Sequence, residues 1–445
     1  MNHRKQLSAL LAAALTLSVC AGGVIATQTA ADTPAPPQEQ LLISPAPAPQ
    51  TVKNTTQTEN TSDADSQSQT PTPIPDPEGT VSFSNVAQRV RENNLTARAL
   101  GSSITAIEAM DYEEMSEDLR KTLNQLADGV FAMYSMPMGM GAASAASLQA
   151  TYSSLREQFD AIKEGEMQQD NADTIHMLKN TQNQLAMAAE SLYITLIELQ
   201  QNQATLDRNL NTLDRGLAEL DIRYEMGQVS SMTVQETKAA RTSLLSARQT
   251  LLSNYQILIY QLQSLLGEEL TGELTLASLP AVTGEQLSAM NFEADLEQAK
   301  QVSYTLVEAQ NKLDDAIDTY KDDSNMYKGD PTSGFEYEMA YHQLEAAHRT
   351  YEASVQSFEL GLRTLYLQIQ DYQQVLETAK STLAIKQNSY AAVQVKYEQG
   401  VLSEFDLLDA QDTVSEAQDA VNSAAIKLFS AYTNYRWAVD YGILN

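Results

Sequence analysis

SLYITLIELQQ (Ser191–Gln201) and RYEMG (Arg223–Gly227) return later in the chain as TLYLQIQDYQQ (Thr364–Gln374) and KYEQG (Lys396–Gly400). Both pairs sit at one offset, 173 residues, so the whole stretch 191–227 overlies 364–400 without a gap. Leu192/Leu365, Tyr193/Tyr366, Gln200/Gln373, Gln201/Gln374, Tyr224/Tyr397, Glu225/Glu398, Gly227/Gly400 and Ser230/Ser403 agree. A repeat of this length that tolerates no insertion is one rigid element used twice, and such an element is an architecture before it is a chemistry. It points to a tube, scaffold or assembly part and away from an enzyme.

The element is a long helix. Leu206, Leu210, Leu213, Leu217, Leu220 and Tyr224 follow one another at spacings of 4, 3, 4, 3 and 4. That 3.5-residue average imposes left-handed supercoiling. The second copy places Ala379, Leu383, Lys386, Tyr390, Val393 and Tyr397 at the equivalent positions, with Lys386 the exception. A return helix follows each turn, and the second carries Leu407, Ala410, Val414, Ala417, Val421, Ala424, Leu428, Ala431 and Tyr435 in the same rhythm. Helices of about 40 to 60 residues span roughly 60 to 90 Å. One antiparallel partner does not bury a narrow alanine-rich seam of that length, so more helices from other subunits are expected. The fold class is all-α: long antiparallel coiled-coil hairpins, duplicated in one chain.

The chain has 445 residues, 58 acidic against 28 basic side chains, a formal net charge of -30 and a single cysteine. So acidic a surface repels a phosphate backbone, which excludes nucleic acid as a partner. His3, Arg4 and Lys5 before the apolar run LSALLAAALTLSV read as an export signal over residues 1–26. The small-residue site Val24-Ile25-Ala26 suits cleavage, whereas Leu17-Ser18-Val19-Cys20 suits lipidation of Cys20; an uncleaved anchor is the third fate. Either of the first two leaves no disulfide framework and no thiol chemistry. Residues 27–80 are Pro, Thr, Gln and Ser with few large apolar side chains, which is the composition of a disordered tether. Beyond it, residues 81–270 form the first repeat, 271–290 a linker around Pro280, and 291–445 the second repeat. Within the first repeat a helix begins near Ser82, a second covers Glu113 to Ala127, and a Met/Gly/Ala break follows near Ser135 to Ala146.

Two turns close the hairpins: RYEMGQVSSMTVQE (Arg223–Glu236) and KYEQGVLSEFDLLDAQ (Lys396–Gln411). Gly227 and Gly400 are placed to end the first helix in a left-handed conformation. Ser230 and Ser403 are placed to cap the next, with Asp406 in its first turn. Tyr-Glu-x-Gly-x-x-Ser-x-x-Asp-x-Leu-x-Ala-Gln, closing a heptad helix and present twice, resembles the TolC or outer-membrane efflux protein family. The resemblance covers Gln182–Leu266 and Glu336–Leu444; the second tip matches closely and the first is degraded. It implies a homotrimer whose hairpins form a hollow twelve-helix cylinder through which substrates pass unchanged. The tips would dock an adaptor (membrane fusion) protein, itself served by an inner-membrane transporter. By position, Asp406 and Asp409 match acidic residues that ring the entrance in family members. Tyr397 matches a gating tyrosine, and Gly227, Ser230, Gly400 and Ser403 fall at the docking tips. Charge rings of that kind select for cations.

The chain also departs from the family pattern. Leu402 stands where some members have a gating arginine, and Thr233 where its acidic partner would be. Members carry two membrane strands per repeat, each of about 9 to 11 alternating residues. Here the second joint, Ser324–Glu336, is too short for a strand pair, and the first, Asp111–Ala172, is helical and acidic. The expectation is a tube without a convincing β-barrel. An exported protein of the cell envelope follows, and the missing strands suggest a membrane-tethered or periplasmic or wall location rather than the family's outer membrane.

Other constellations favour plain structure. Asp406, Asp409 and Asp412 suit a helix start favoured by the dipole as well as a pore entrance. Met133, Met136, Met138 and Met140 suit flexible filler better than a copper site. His342 and His348 point about 120° apart around a helix and do not form a metal pair with Glu345. Tyr193 and Tyr366 read as packing residues with a hydroxyl at a wet edge. No catalytic, cofactor or metal site is expected. The rival to a conduit is a coiled-coil envelope scaffold or adhesion spacer that kept the fold and lost transport.

Overall fold

The computed structural model describes residues 76–77, 79–135, 142–327 and 334–444. The export signal, Cys20, nearly all of the tether, and Met136, Met138 and Met140 lie outside the described residues. The first repeat runs β1 (Thr80–Val81), α1 (Phe83–Asn93), α2 (Leu95–Glu108), α3 (Tyr112–Tyr134), α4 (Ala142–Glu164), α5 (Glu166–Glu225) and α6 (Ser231–Leu266). The joint holds β2 (Thr275–Leu276) and α7 (Gly284–Ser288). The second repeat runs α8 (Phe292–Val302), α9 (Tyr304–Tyr327), α10 (Gly334–Glu398) and α11 (Glu404–Tyr441).

Two long hairpins carry the architecture. The descending helices α5 and α10 have 60 and 65 residues; the returning α6 and α11 have 36 and 38. α5 packs on α6 and on α11, and α11 packs on α10, so the four lie in the order α6–α5–α11–α10 with directions alternating. The expected seam lies inward. Leu210 and Leu217 are buried, and Leu206, Leu213 and Leu220 half-buried, while Tyr224 at the tip is 48% exposed. On α11 the buried positions Ala417, Ala424, Leu428, Ala431 and Tyr435 alternate with half-buried Val414 and Val421. Lys386, the polar exception, is exposed.

A second duplication underlies the first. Residues 83–108 recur as 292–317, an offset of 209, so α1–α2 and α8–α9 are one bent pair used twice. Phe83 matches Phe292, and buried Val90, Ala97 and Ile104 match buried Ala299, Leu306 and Leu313. The bend falls at Asn94 (φ -62°, ψ 126°) and at Ser303 (φ -73°, ψ 112°), both extended and both buried. The helix expected to begin near Ser82 is α1, and α2 is a further helix directly after it. Asn94 separates the two by capping α2, its Oδ1 accepting from Ala97 N, while its amide donates to Leu265 O at 3.0 Å. The helix expected over Glu113–Ala127 also extends further, to Tyr134.

The joint is more ordered than a linker. β1 and β2 pair in parallel, Thr80 with Thr275 and Val81 with Leu276. Tyr193 is fully buried beneath them, its hydroxyl 2.9 Å from Val81 O and 2.6 Å from Ala277 O. The wet edge expected for this hydroxyl is thus a dry clamp, because two loop carbonyls supply its partners. Tyr366 is half-buried between the rings of Phe292 and Tyr435.

Where the family carries strand pairs, the described residues are helical. α3 packs along α4, and α9 along the first part of α10. Within the short second joint, residues 328–333 lie outside the described residues. No described helix is long and apolar enough to cross a membrane.

Candidate functional site

Both tips are built the same way. At the first, Gly227 (φ 70°) donates its N–H to Tyr224 O and Gln228 N donates to Arg223 O. At the second, Gly400 (φ 72°) donates to Tyr397 O and Val401 N to Lys396 O. This reciprocal pair of bonds satisfies the last carbonyls of the descending helix and requires a left-handed residue, which glycine supplies without strain. The chain then re-enters a helix. Ser230 Oγ accepts from Thr233 N at 3.2 Å, and Ser403 Oγ accepts from Asp406 N at 3.2 Å. Only the second tip closes a full capping box, Asp406 Oδ2 accepting from Ser403 N at 2.9 Å and from its hydroxyl at 2.7 Å. Those two donors hold the Asp406 carboxyl below its ordinary range. Thr233 at the first tip has no carboxylate to reach back with.

The three aspartates beside the second tip separate in role. Asp406 caps, Asp409 is exposed to solvent, and Asp412 is half-buried against α5. There Asp412 pairs with Arg215 and accepts from Thr212 Oγ1 at 2.8 Å. Asp412 therefore does not add a free charge to a ring at the tip. Tyr397 is 37% exposed, its carbonyl engaged by Gly400.

Asp412 belongs to a ladder that sequence reasoning passed over. One heptad higher, Asp419 pairs with Arg208 and accepts from Thr205 Oγ1 at 2.9 Å and from Gln201 Nε2 at 2.7 Å. The other side of α5 repeats the device. Asp207 pairs with Arg248 and Asp214 with Arg241, each at 2.5 Å, both arginines on α6. The signal was in plain view: TLDR occurs at 205–208 and 212–215, Gln-Asp at 411–412 and 418–419, and Ala-Arg at 240–241 and 247–248. Each motif repeats at seven residues, so each presents its charge to the same neighbouring helix twice. On α10, the residues 173 positions on from Thr205, Arg208, Thr212 and Arg215 are Thr378, Ser381, Ile385 and Asn388, which carry no charge.

Far above the tips, a third contact joins the hairpins. Trp437 Nε1 of α11 donates to Glu190 Oε2 of α5 at 2.7 Å. Arg91 of α1 stacks over the Trp437 and Tyr441 rings and donates to Asn183 Oδ1 at 3.0 Å. Burial pushes the Glu190 carboxyl up to about 7 despite the Trp437 bond and the Arg91 charge.

Among the described residues no group of three His, Cys, Asp or Glu side chains could hold a metal. His342 and Glu345 approach to 3.8 Å on an exposed face. Met133 is described, and its three sequence neighbours in the methionine cluster are not.

Residues 335–434 match the family model for outer membrane efflux protein. A membrane protein from Pseudomonas aeruginosa shares the fold, with a TM-score of 0.51 at 12% identity, over 80% of this chain and 90% of that one. The outer membrane protein VceC from Vibrio cholerae aligns over 80% of this chain and 95% of that one, at 12% identity and a TM-score of 0.45. The channel protein CusC aligns over 80% and 91%, at 11% identity and a TM-score of 0.48. No curated protein matches the chain. The matched family is one of efflux proteins and not of enzymes. Through residues 335–434 the chain resembles outer membrane efflux protein, and it shares its fold with the Pseudomonas aeruginosa membrane protein.

Proposed function

We propose that three copies of this chain close into a hollow helical cylinder that conducts small molecules or polypeptides across the cell envelope. The observation that carries this reading is the open order α6–α5–α11–α10. α6 and α10 are left as two free edges running in opposite directions, so α10 of one copy can meet α6 of the next without breaking the alternation. Such a head-to-tail contact generates a ring when the rotation closes. Both edges expose apolar side chains, Leu245, Ile257 and Tyr260 on α6 and Leu367, Val375 and Ile385 on α10. With four long helices per copy, three copies supply twelve.

The tips are the docking end for an adaptor protein working with an inner-membrane transporter. Gly227, Ser230, Gly400 and Ser403 shape that surface, and Asp406, Asp409 and Tyr397 face the mouth. Acidic groups there favour cationic cargo by simple electrostatics. Reversing the charge of Asp406 and Asp409, or changing Gly227 or Gly400 to proline, should abolish export or adaptor binding while the helices remain folded. Survival of both activities would leave the scaffold reading in possession.

A further inference from the structure

The hairpin α3–α4 has two halves of different chemistry. The half next to the body is charged, with the ion pairs Lys121–Asp118 and Arg156–Asp160 at 2.9 Å each. The far half has no charge. From Gly129 to Leu155, 27 residues, there is no Asp, Glu, Lys or Arg, and no run after the tether is longer in this chain of net charge -30.

The end of the hairpin is apolar and uncovered. Phe131 is 76% exposed and Tyr134 62%, both in the last turn of α3. α3 packs along α4, and the pair joins the body through α5, where Asn171 Nδ2 donates to Tyr112 Oη at 2.8 Å. The 60 residues of α5 separate that base from the Gly227 tip by about 90 Å. Residues 136–141 lie outside the described residues, and the surface is formed by the residues on either side of them.

Size and charge together name the occupant. Two helices side by side present an end of roughly 10 by 20 Å, about 200 Å². A stable protein interface takes about 800 Å² from each partner, so this end is too small to hold one. A lipid surface sets no such minimum, since each apolar side chain that enters it adds its own burial. A tyrosine beside a phenylalanine suits the headgroup level, where the ring is buried and the hydroxyl stays wet. The first charge behind the end, Asp128, lies six residues from Tyr134, about 9 Å along α3. That matches the roughly 5 to 10 Å at which apolar side chains seat in the boundary between headgroups and acyl chains. No basic side chain stands in this half to draw anionic headgroups, which leaves zwitterionic lipid.

We propose that the end of α3–α4 docks on a zwitterionic lipid surface, with Phe131 and Tyr134 inserted to the level of Asp128 and no helix crossing. This goes beyond the ring and does not depend on it, because the hairpin of one copy suffices.

The test uses the full chain with Phe131→Trp, whose only other tryptophan is Trp437, buried on α11. Phosphatidylcholine vesicles are added, with and without lipids brominated high on the acyl chain. The expected result is a blue shift and quenching of the added tryptophan, equal at low and high salt and weaker when phosphatidylglycerol replaces part of the phosphatidylcholine. Adding Tyr134→Asp should lower the partition constant at least tenfold; no change would overturn the proposal. Vesicle flotation with an unquenched reporter would assign binding to the apolar run of the export signal and overturn it too. A blue shift that needs no vesicles and grows with protein concentration would hand the end to a second copy, again overturning it. Both positions are exposed, so helical circular dichroism of each variant should match the parent. A monomer and a trimer give the same reporter signal, so failure here leaves the ring standing.

Discussion

Arg215 of α5 and Asp412 of α11 form an ion pair across the joint between the two hairpins, one heptad nearer the tips than Arg208 and Asp419. The pair is half-buried, and Thr212 also donates to the same carboxylate. Within a chain the two hairpins are therefore tied by charge, whereas Ser381 and Asn388, the equivalents of Arg208 and Arg215 on the α10 edge, carry none. The inner joint should be sensitive to salt and the outer one should not.

Arg215→Asp should destabilise the fold, and adding Asp412→Arg should restore most of the loss. A double-mutant cycle by thermal unfolding should give a coupling of about 1 kcal/mol. A coupling of zero would mean that the joint is held by packing alone.

Glu190 sets a pH dependence of unusual sign. Its carboxyl titrates near about 7 in the folded protein, raised by burial, against about 4.3 in an unfolded chain. Between those values the folded state holds the extra proton, so stability falls as pH rises and the loss is complete above about 7. Glu190→Gln keeps an acceptor for Trp437 and removes the buried charge. It should raise stability at pH 8 by on the order of 2 kcal/mol and leave pH 4 nearly unchanged. Denaturant melts at the two pH values read this directly, and equal shifts at both would contradict it.

The second tip behaves in the opposite sense. The capping box holds Asp406 below its ordinary pKa, so its contribution is present above the unfolded value and is lost as pH falls through the lowered one. Ser403→Ala should cost about 1 kcal/mol at neutral pH. Asp406→Asn should differ from the parent at pH 7 and converge with it in strong acid. Hydrogen exchange of the first turn of α11 is the local measure.

Gly442 and Gly400 share a left-handed φ but not a neighbourhood. A Cβ at Gly442 would lie 2.3 Å from Ser303 Cα, whereas nothing stands within 4 Å of one at Gly400. Gly400→Ala should cost about 1 kcal/mol from backbone strain alone. Gly442→Ala adds overlap with rigid backbone and should cost at least about 3 kcal/mol. Comparable melting temperatures for the two variants would show that the Ser303 bend yields.

The long hairpins and their tips were legible because heptad periodicity and paired turn motifs are local, dense signals. The α1–α2 duplication was not, since only Phe83/Phe292 is identical among its key positions and the rest conserve burial rather than identity. The dry clamp at Tyr193 depends on two loop carbonyls, from Val81 and Ala277, that are brought together only by the parallel β1–β2 pair. The ladder was written in the sequence as TLDR, Gln-Asp and Ala-Arg at heptad spacing, but its meaning needs the knowledge that α5 lies between α6 and α11. Asp412 illustrates the difference: by spacing it joins Asp406 and Asp409, and by packing it belongs to Arg215.

The solution mass of the purified chain, by light scattering at several concentrations with any detergent contribution removed, tests the central claim most directly. The account predicts three times the chain mass, stable on dilution. A monomer at every concentration would contradict it, because the exposed edges of α6 and α10 would then have no copy to meet.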